Sequence, residues 1–166
     1  MTENNWEDKI RKIKEETDKE IKENRLAERR LREKYKDEKP KIIEMLRSEL
    51  GVVVKVFKKP SRKYYDQPSL EVADWGASLK VPIVGAGATV NIGITFSLQF
   101  SDNGYCLKVI KVTYDAVTQK HCEINADIPP SVTVEAIQKQ VTEFLEVRRD
   151  TIKRMEEEYQ RLQRDW

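Results

Sequence analysis

Long apolar runs are missing from these 166 residues. None approaches the roughly 20 apolar residues that a membrane-spanning helix requires. No apolar N-terminal stretch resembles an export signal, because residues 1–39 alternate Lys and Arg with Asp and Glu. Cysteine is scarce: Cys106 and Cys122 are too few to staple a small secreted domain. These absences predict a cytoplasmic protein with reduced thiols and no membrane contact. The net charge is only +2, so bulk charge does not argue for nucleic acid.

Histidine is almost absent too. His121 is the only one, and it precedes Cys122. Neighbours on a strand point to opposite faces, which excludes these two as a Cys–His nucleophile pair. The same parity places Cys106 and Cys122 on opposite sides of the sheet, against a disulfide. The expectation is a protein that is not an enzyme and carries no cofactor.

A dinucleotide-binding loop is nearly present and then fails. In "VPIVGAGATVNIG", Gly85 and Gly87 follow an apolar run, but Val90 stands where the third glycine belongs. That loop must open a helix, so that helix N–H groups face the pyrophosphate. Here Val90, Ile92, Ile94, Phe96, Leu98 and Phe100 alternate with polar or small residues. Period two is a strand, so the glycines mark a hairpin loop.

Charge, by contrast, is abundant: 36% of residues are charged, against about 25% in ordinary domains. Much of it lies in residues 1–39, with thirteen Lys/Arg, twelve Asp/Glu and no Gly or Pro. Asp8–Lys12, Glu15–Lys19, Asp18–Lys22 and Glu28–Arg32 fall at helical spacing. A sparse apolar seam of Trp6, Ile10, Ile13, Ala27 and Leu31 accompanies them, interrupted by Thr17, Glu20 and Asn24. This predicts a charged helical arm over 1–39 that needs a partner, with a break at Lys39 imposed by Pro40.

The body is expected over 40–132. Residues 41–50 read as a short helix stopped by Gly51, and 52–128 as sheet, opened by "VVVKVF". Register arithmetic tests the hairpins. Closing the glycine loop sets Ile83 against Val90 and Leu79 against Ile94. The turn Ser101-Asp102-Asn103-Gly104 sets Phe100 against Tyr105, Leu98 against Leu107 and Phe96 against Val109. A turn near Val117-Thr118 sets Tyr114 against His121, Val112 against Glu123 and Ile110 against Asn125. The same turn places Cys122, Ile124, Ala126 and Ile128 on the apolar face of the first two hairpins, as a sheet buried on one side requires.

After "IPPS", residues 133–166 read as one helix, capped by Thr133 or Ser131. Val141, Leu145, Arg148, Ile152, Met155, Tyr159, Leu162 and Trp166 keep a 4-3 spacing. The first half, which adds Ile137 and Phe144, is expected on the sheet and the remainder in a coiled coil. Arg148 and Asn24 are odd members of the two seams and are read as register devices. The whole predicts an α+β fold. It is an antiparallel meander of four to six strands with helices on one face, flanked by long N- and C-terminal helices forming a coiled-coil stalk.

Three surfaces are candidates for work. The outer sheet face carries His121, Glu123, Asn125 and Asp127 beside apolar Ile110, Val112 and Tyr114. Alternate strand residues lie about 6.6 Å apart and span a metal awkwardly, so no metal is expected there. Ile110, Val112, Tyr114, His121 and Glu123 are instead read as a partner surface. The basic connector holds Lys58, Lys59, Arg62 and Lys63 with Tyr64 and Tyr65, a pattern suited to phosphates and stacked bases. The helical seam of Leu145, Ile152, Met155, Tyr159, Leu162 and Trp166 suits a homodimer. The leading expectation is a non-enzymatic protein-interaction or scaffolding module. Nucleic-acid binding through residues 55–65 is the first alternative. A small-ligand or enzyme site between sheet and helices is the second.

Overall fold

A computed structural model describes residues 2–60, 62–63, 66–85 and 88–166, with backbone alone for 2–4. The chain divides into two compact units, Met1–Asp37 and Glu38–Trp166. The first is a single helix, α1 (Thr2–Lys34). Its ion pairs follow the i, i+4 rule, with Arg11 on Glu7 at 3.0 Å and Arg32 on Glu28 at 2.6 Å. Exposed pairs of this kind each contribute about 0.3–0.5 kcal/mol. Trp6, Ile10 and Ile13 of the seam are exposed, and no described side chain of α1 is buried.

The break between helices falls at 35–37 and not at Lys39. Pro40 sits inside the first turn of α2 (Glu38–Phe57), where its missing N–H is not needed by the helix. A second boundary is also corrected. Gly51 does not stop α2 at residue 50, and "VVVKVF" is helix, not the first strand. The reason lies in the buried stripe. Ile42, Leu46, Leu50 and Val53 recur at helical spacing and all face the core. Burying such a side chain is worth about 1.5–3 kcal/mol, which exceeds the ~1 kcal/mol cost of a mid-helix glycine. The sheet therefore begins at residue 69, not 52.

Among the described residues seven strands follow: β1 (Ser69–Ala73), β2 (Gly76–Lys80), β3 (Ile83–Gly85), β4 (Ala88–Val90), β5 (Gly93–Ser101), β6 (Gly104–Asp115) and β7 (Lys120–Ile128). Five form one antiparallel sheet in the order β1-β2-β5-β6-β7, while β3 and β4 pair as a separate hairpin. The expected registers hold at each hairpin. Ile83 meets Val90, Leu79 meets Ile94, Phe96 meets Val109 and Tyr114 meets His121. Positive-φ glycines mark two corners. Gly104 (φ 121) closes the β5–β6 turn. Gly76 (φ 138) opens β2 so close to β5 that a Cβ would lie 1.8 Å from the Phe96 carbonyl oxygen, so no other residue fits without moving the strand.

Helix α3 (Val134–Arg164) begins where Thr133 accepts a hydrogen bond from the Ala136 N–H at 3.2 Å, a cap worth about 1 kcal/mol. α2 packs on β1 and β2, α3 on β5 and β6, and the two helices touch each other. Ile42, Leu46 and Leu50 from α2, and Ile137, Val141 and Phe144 from α3, meet Leu79, Ile94, Phe96, Leu107 and Val109 of the sheet. Farther along α3, Leu145 and Met155 pack against this core, while Ile152, Tyr159, Leu162 and Trp166 are exposed. Met155, Tyr159 and Leu162 flank a cavity of about 240 Å³ with Gly85, Ala88 and Val90 of the hairpin and with Tyr114. This part of the helix thus lies beside the β3–β4 hairpin.

Candidate functional site

Parity along β6 sorts its side chains. Leu107 and Val109 point to the helices and are fully buried, and so do Lys111 and Thr113. Ile110 and Val112 point the other way and are half-buried, and Tyr114, of the same parity at the end of the strand, is half-buried and packs against the core beside Met155. The pairing with β5 runs unbroken from Ser101–Gly104 to Gly93–Val112, so no bulge turns the second set inward. On the outer face, Ser78 and Thr95 share a hydrogen bond at 3.1 Å. Tyr114 and His121 meet edge to face, with ring centroids 5.4 Å apart. The His121 Nε2 lies 2.9 Å from the Asn91 carbonyl oxygen. Glu123 is exposed beside Val112 on the neighbouring strand. The five residues read from sequence as a partner surface thus share one face, with Tyr114 and His121 in ring contact.

At the β7 edge the helical cover is partial: Ala126 and Ile128 join the core, and the first part of the strand does not. β7 pairs only with β6, and its residues 120–125 are all exposed. Its helix-facing side chains Cys122 and Ile124 were expected to join the apolar core. Ile124 is 44% exposed and Cys122 is exposed as well. The cause sits beside them on β6. Lys111, 5% exposed, occupies the helix side opposite Ile124 and reaches Glu143 of α3 at 3.0 Å. This ion pair stands at the border between the apolar layer and the exposed part of β7. The hydrogen bond and charge of Lys111 hold the Glu143 carboxyl below its ordinary range.

The turn into β7 is built on Asp115. Its Oδ1 accepts from the N–H groups of Val117 (2.8 Å) and Thr118 (3.2 Å), which hold its carboxyl low. Gln119 takes the left-handed conformation there, with φ 56. Backbone N–H and C=O groups alternate sides along a strand, so β7 presents every second pair to solvent.

A separate cavity of about 360 Å³ opens where the end of α2, the basic connector, the β2–β3 corner and α3 converge. Its apolar wall includes Val56, Phe57, Pro82, Val84 and Ile152, and its cations are Lys59, Arg62 and Arg148. Arg148 is the odd member of the α3 seam. Its Nε donates to the Val81 carbonyl at 3.2 Å and its Nη2 to the Pro82 carbonyl at 2.8 Å. Its guanidinium lies 5.0 Å from the centre of the Phe57 ring. Burial, then the charge of Arg62, lowers its pKa. These contacts tie α3 to the sheet corner, a local use for the residue expected to set coiled-coil register.

Gln67 folds the connector back on itself. Its Oε1 accepts from the Lys59 N–H at 2.9 Å, and its Nε2 donates to the carbonyls of Lys59 and of Arg62. Of the cations proposed for nucleic acid, Lys59 and Arg62 are thereby gathered at the cavity, while Lys58 and Lys63 are exposed outside its lining. Tyr64 and Tyr65 lie outside the described residues, as do Ala86 and Gly87 of the glycine loop. Among the described residues, no group of three His, Cys, Asp or Glu side chains gathers as a metal site would.

No family model matches the chain, and neither does any curated protein or solved structure. Among the described residues, no helix is long and apolar enough to cross a membrane. The residues that sequence reasoning missed are Lys111, Gln67 and the structural use of Arg148. Two of them carried a signal. Lys111 shares parity with Leu107 and Val109, and Arg148 sits at an apolar position of a heptad. Gln67 carried none, since a clasp across a connector leaves no periodicity.

Proposed function

We propose that this protein is a non-enzymatic protein-interaction module that receives its partner on β7 and the adjoining outer sheet face. One observation carries the reading: β7 is a nine-residue edge strand whose first six residues, 120–125, are exposed, while Ala126 and Ile128 at its end join the core. Exposed edges of this length are templates for strand addition. Backbone hydrogen bonds supply affinity in that mode, and alternate side chains supply specificity. Ile110 and Val112 on one face, and Ile124 on the other, provide apolar contacts on both sides of the added strand. The two free thiols fit a cytoplasmic setting for such a protein. The exposed distal seam of α3, with Tyr159 and Leu162 and with Trp166 just beyond its end, favours self-association through helices as a second reading.

The test uses the intact chain and two variants, Ile124→Lys and Val112→Asp. Both should melt close to the unmodified protein. A partner that co-purifies with the unmodified protein should be lost with each. Retention of the same partner by both variants rejects the edge as the docking site. Light scattering on the same samples reads the second reading: a dimer that survives both changes but is lost with Leu162→Asp places association on α3.

A further inference from the structure

The cavity beside Arg148 has features that an interaction edge does not require. Its walls mix apolar and charged side chains, and its volume of about 360 Å³ falls in the range of small-molecule sites. Three of the charged groups are cations: Lys59, Arg62 and Arg148. None of the three forms an ion pair among the described residues. Asp66 also lines the cavity, but its Oδ1 is taken by the Thr89 hydroxyl at 2.7 Å.

Fold stability alone accounts for only part of this arrangement. Arg148 earns its place structurally through the Val81 and Pro82 carbonyls, which use Nε and Nη2. Nη1 remains, and it belongs to a half-buried charge with no carboxylate partner. Like charges held together in a partly desolvated site repel, and nothing in the folding of the corner calls for Arg62 to stand there. The chain nonetheless fixes it there. Gln67 clasps both ends of the segment from Lys59 to Arg62, and the Arg62 N–H donates to the Lys59 carbonyl at 3.1 Å. Two guanidiniums lining one cavity, with apolar side chains beside them, suit an anionic head carried on an apolar body. Guanidinium recognises carboxylate and phosphate alike through paired N–H groups.

We infer that this cavity is a binding site for a small organic anion. Arg62 and the free edge of Arg148 would hold its carboxylate or phosphate. Val56, Val84 and Ile152 would enclose its apolar portion, with Lys59 at the rim. The site lies away from β7 and stands whether or not the edge docks a protein.

Three probes with the same apolar body separate charge from grease: hexanoate, hexyl phosphate and 1-hexanol. Each is titrated into the intact chain at constant ionic strength, and backbone amide shifts are followed by two-dimensional NMR. At least one anion should give saturable shifts at Val56, Val84 and Ile152, with 1-hexanol at least tenfold weaker. Comparing the two anions tells a carboxylate site from a phosphate site. Arg62→Ala should weaken the anion at least tenfold without moving the melting temperature, because Arg62 makes no side-chain contact that holds the fold. Should that variant fold poorly, Arg62→Gln preserves side-chain length and reads the same loss. The proposal falls if neither anion saturates, if 1-hexanol binds as well as the anions, or if a folded Arg62 variant binds unchanged.

Discussion

At β2, Ala77 and Leu79 point toward the helices and are fully buried; at β7, Cys122 and Ile124 point the same way and are exposed. Both strands belong to one sheet and show the same alternation. The difference comes from the layer above. α2 and α3 touch each other over β1, β2, β5 and β6, and Lys111 paired with Glu143 stands at the border of that layer beside the exposed residues 120–125 of β7. A period of two therefore states which way a side chain points and leaves open whether anything covers it.

Three substitutions probe this contrast. The largest loss is expected at the covered end. Phe144 is fully buried between α3 and the sheet, so Phe144→Ala should cost about 3–5 kcal/mol in chemical denaturation. A much smaller cost would mean that α3 is not the true cover of β5 and β6.

The boundary pair comes next. Glu143→Gln leaves the Lys111 ammonium buried without its carboxylate. Because the Glu143 side chain is 44% exposed, solvent screens the pair, and the expected loss is about 1 kcal/mol. Its pH dependence has a definite sign. The Glu143 carboxyl sits below its ordinary value of 4.5 in the folded chain. Its contribution is thus complete above that value and fades as pH falls through the lower folded value. Melting curves of the two proteins should converge in acid and separate toward neutral pH. A gap that persists in acid would assign the loss to packing.

The smallest change is expected at the uncovered end. Ile124→Lys should alter stability by no more than about 0.5 kcal/mol, as surface substitutions do. A loss as large as that of Phe144→Ala would show that β7 is covered in solution.

Much of this architecture could be read from residues alone, because antiparallel hairpins are local. Once Asp102-Asn103 marked a turn, the pairing of Phe96 with Val109 followed by counting. The same held for Leu79 with Ile94 and Tyr114 with His121. Helix α3 was legible from its seam and its Thr133 cap. The end of α2 was not. Gly51 and the run of valines both argued locally for a stop and a strand, and burial of Leu50 and Val53 overrode them. The shared face of Ile110, Val112, His121 and Glu123 was legible for the same reason as the registers. The cavity was not, because it joins Phe57, Arg62, Pro82 and Arg148, which only tertiary packing brings together.

The order of elements along the chain has a consequence for the time before folding is complete. β5 with β6, and β6 with β7, pair across short turns, and such local contacts close early. Their cover, α3, is made afterwards, since residues 134–164 follow the last strand. During synthesis at about 5–20 residues per second, Phe96, Leu107 and Val109 wait a few seconds for Ile137 and Phe144 to arrive. In that interval the meander has an open edge and an open apolar face together. It is then most exposed to pairing with another nascent chain, and the charges of Lys111 and Glu123 are what its own strands hold against it.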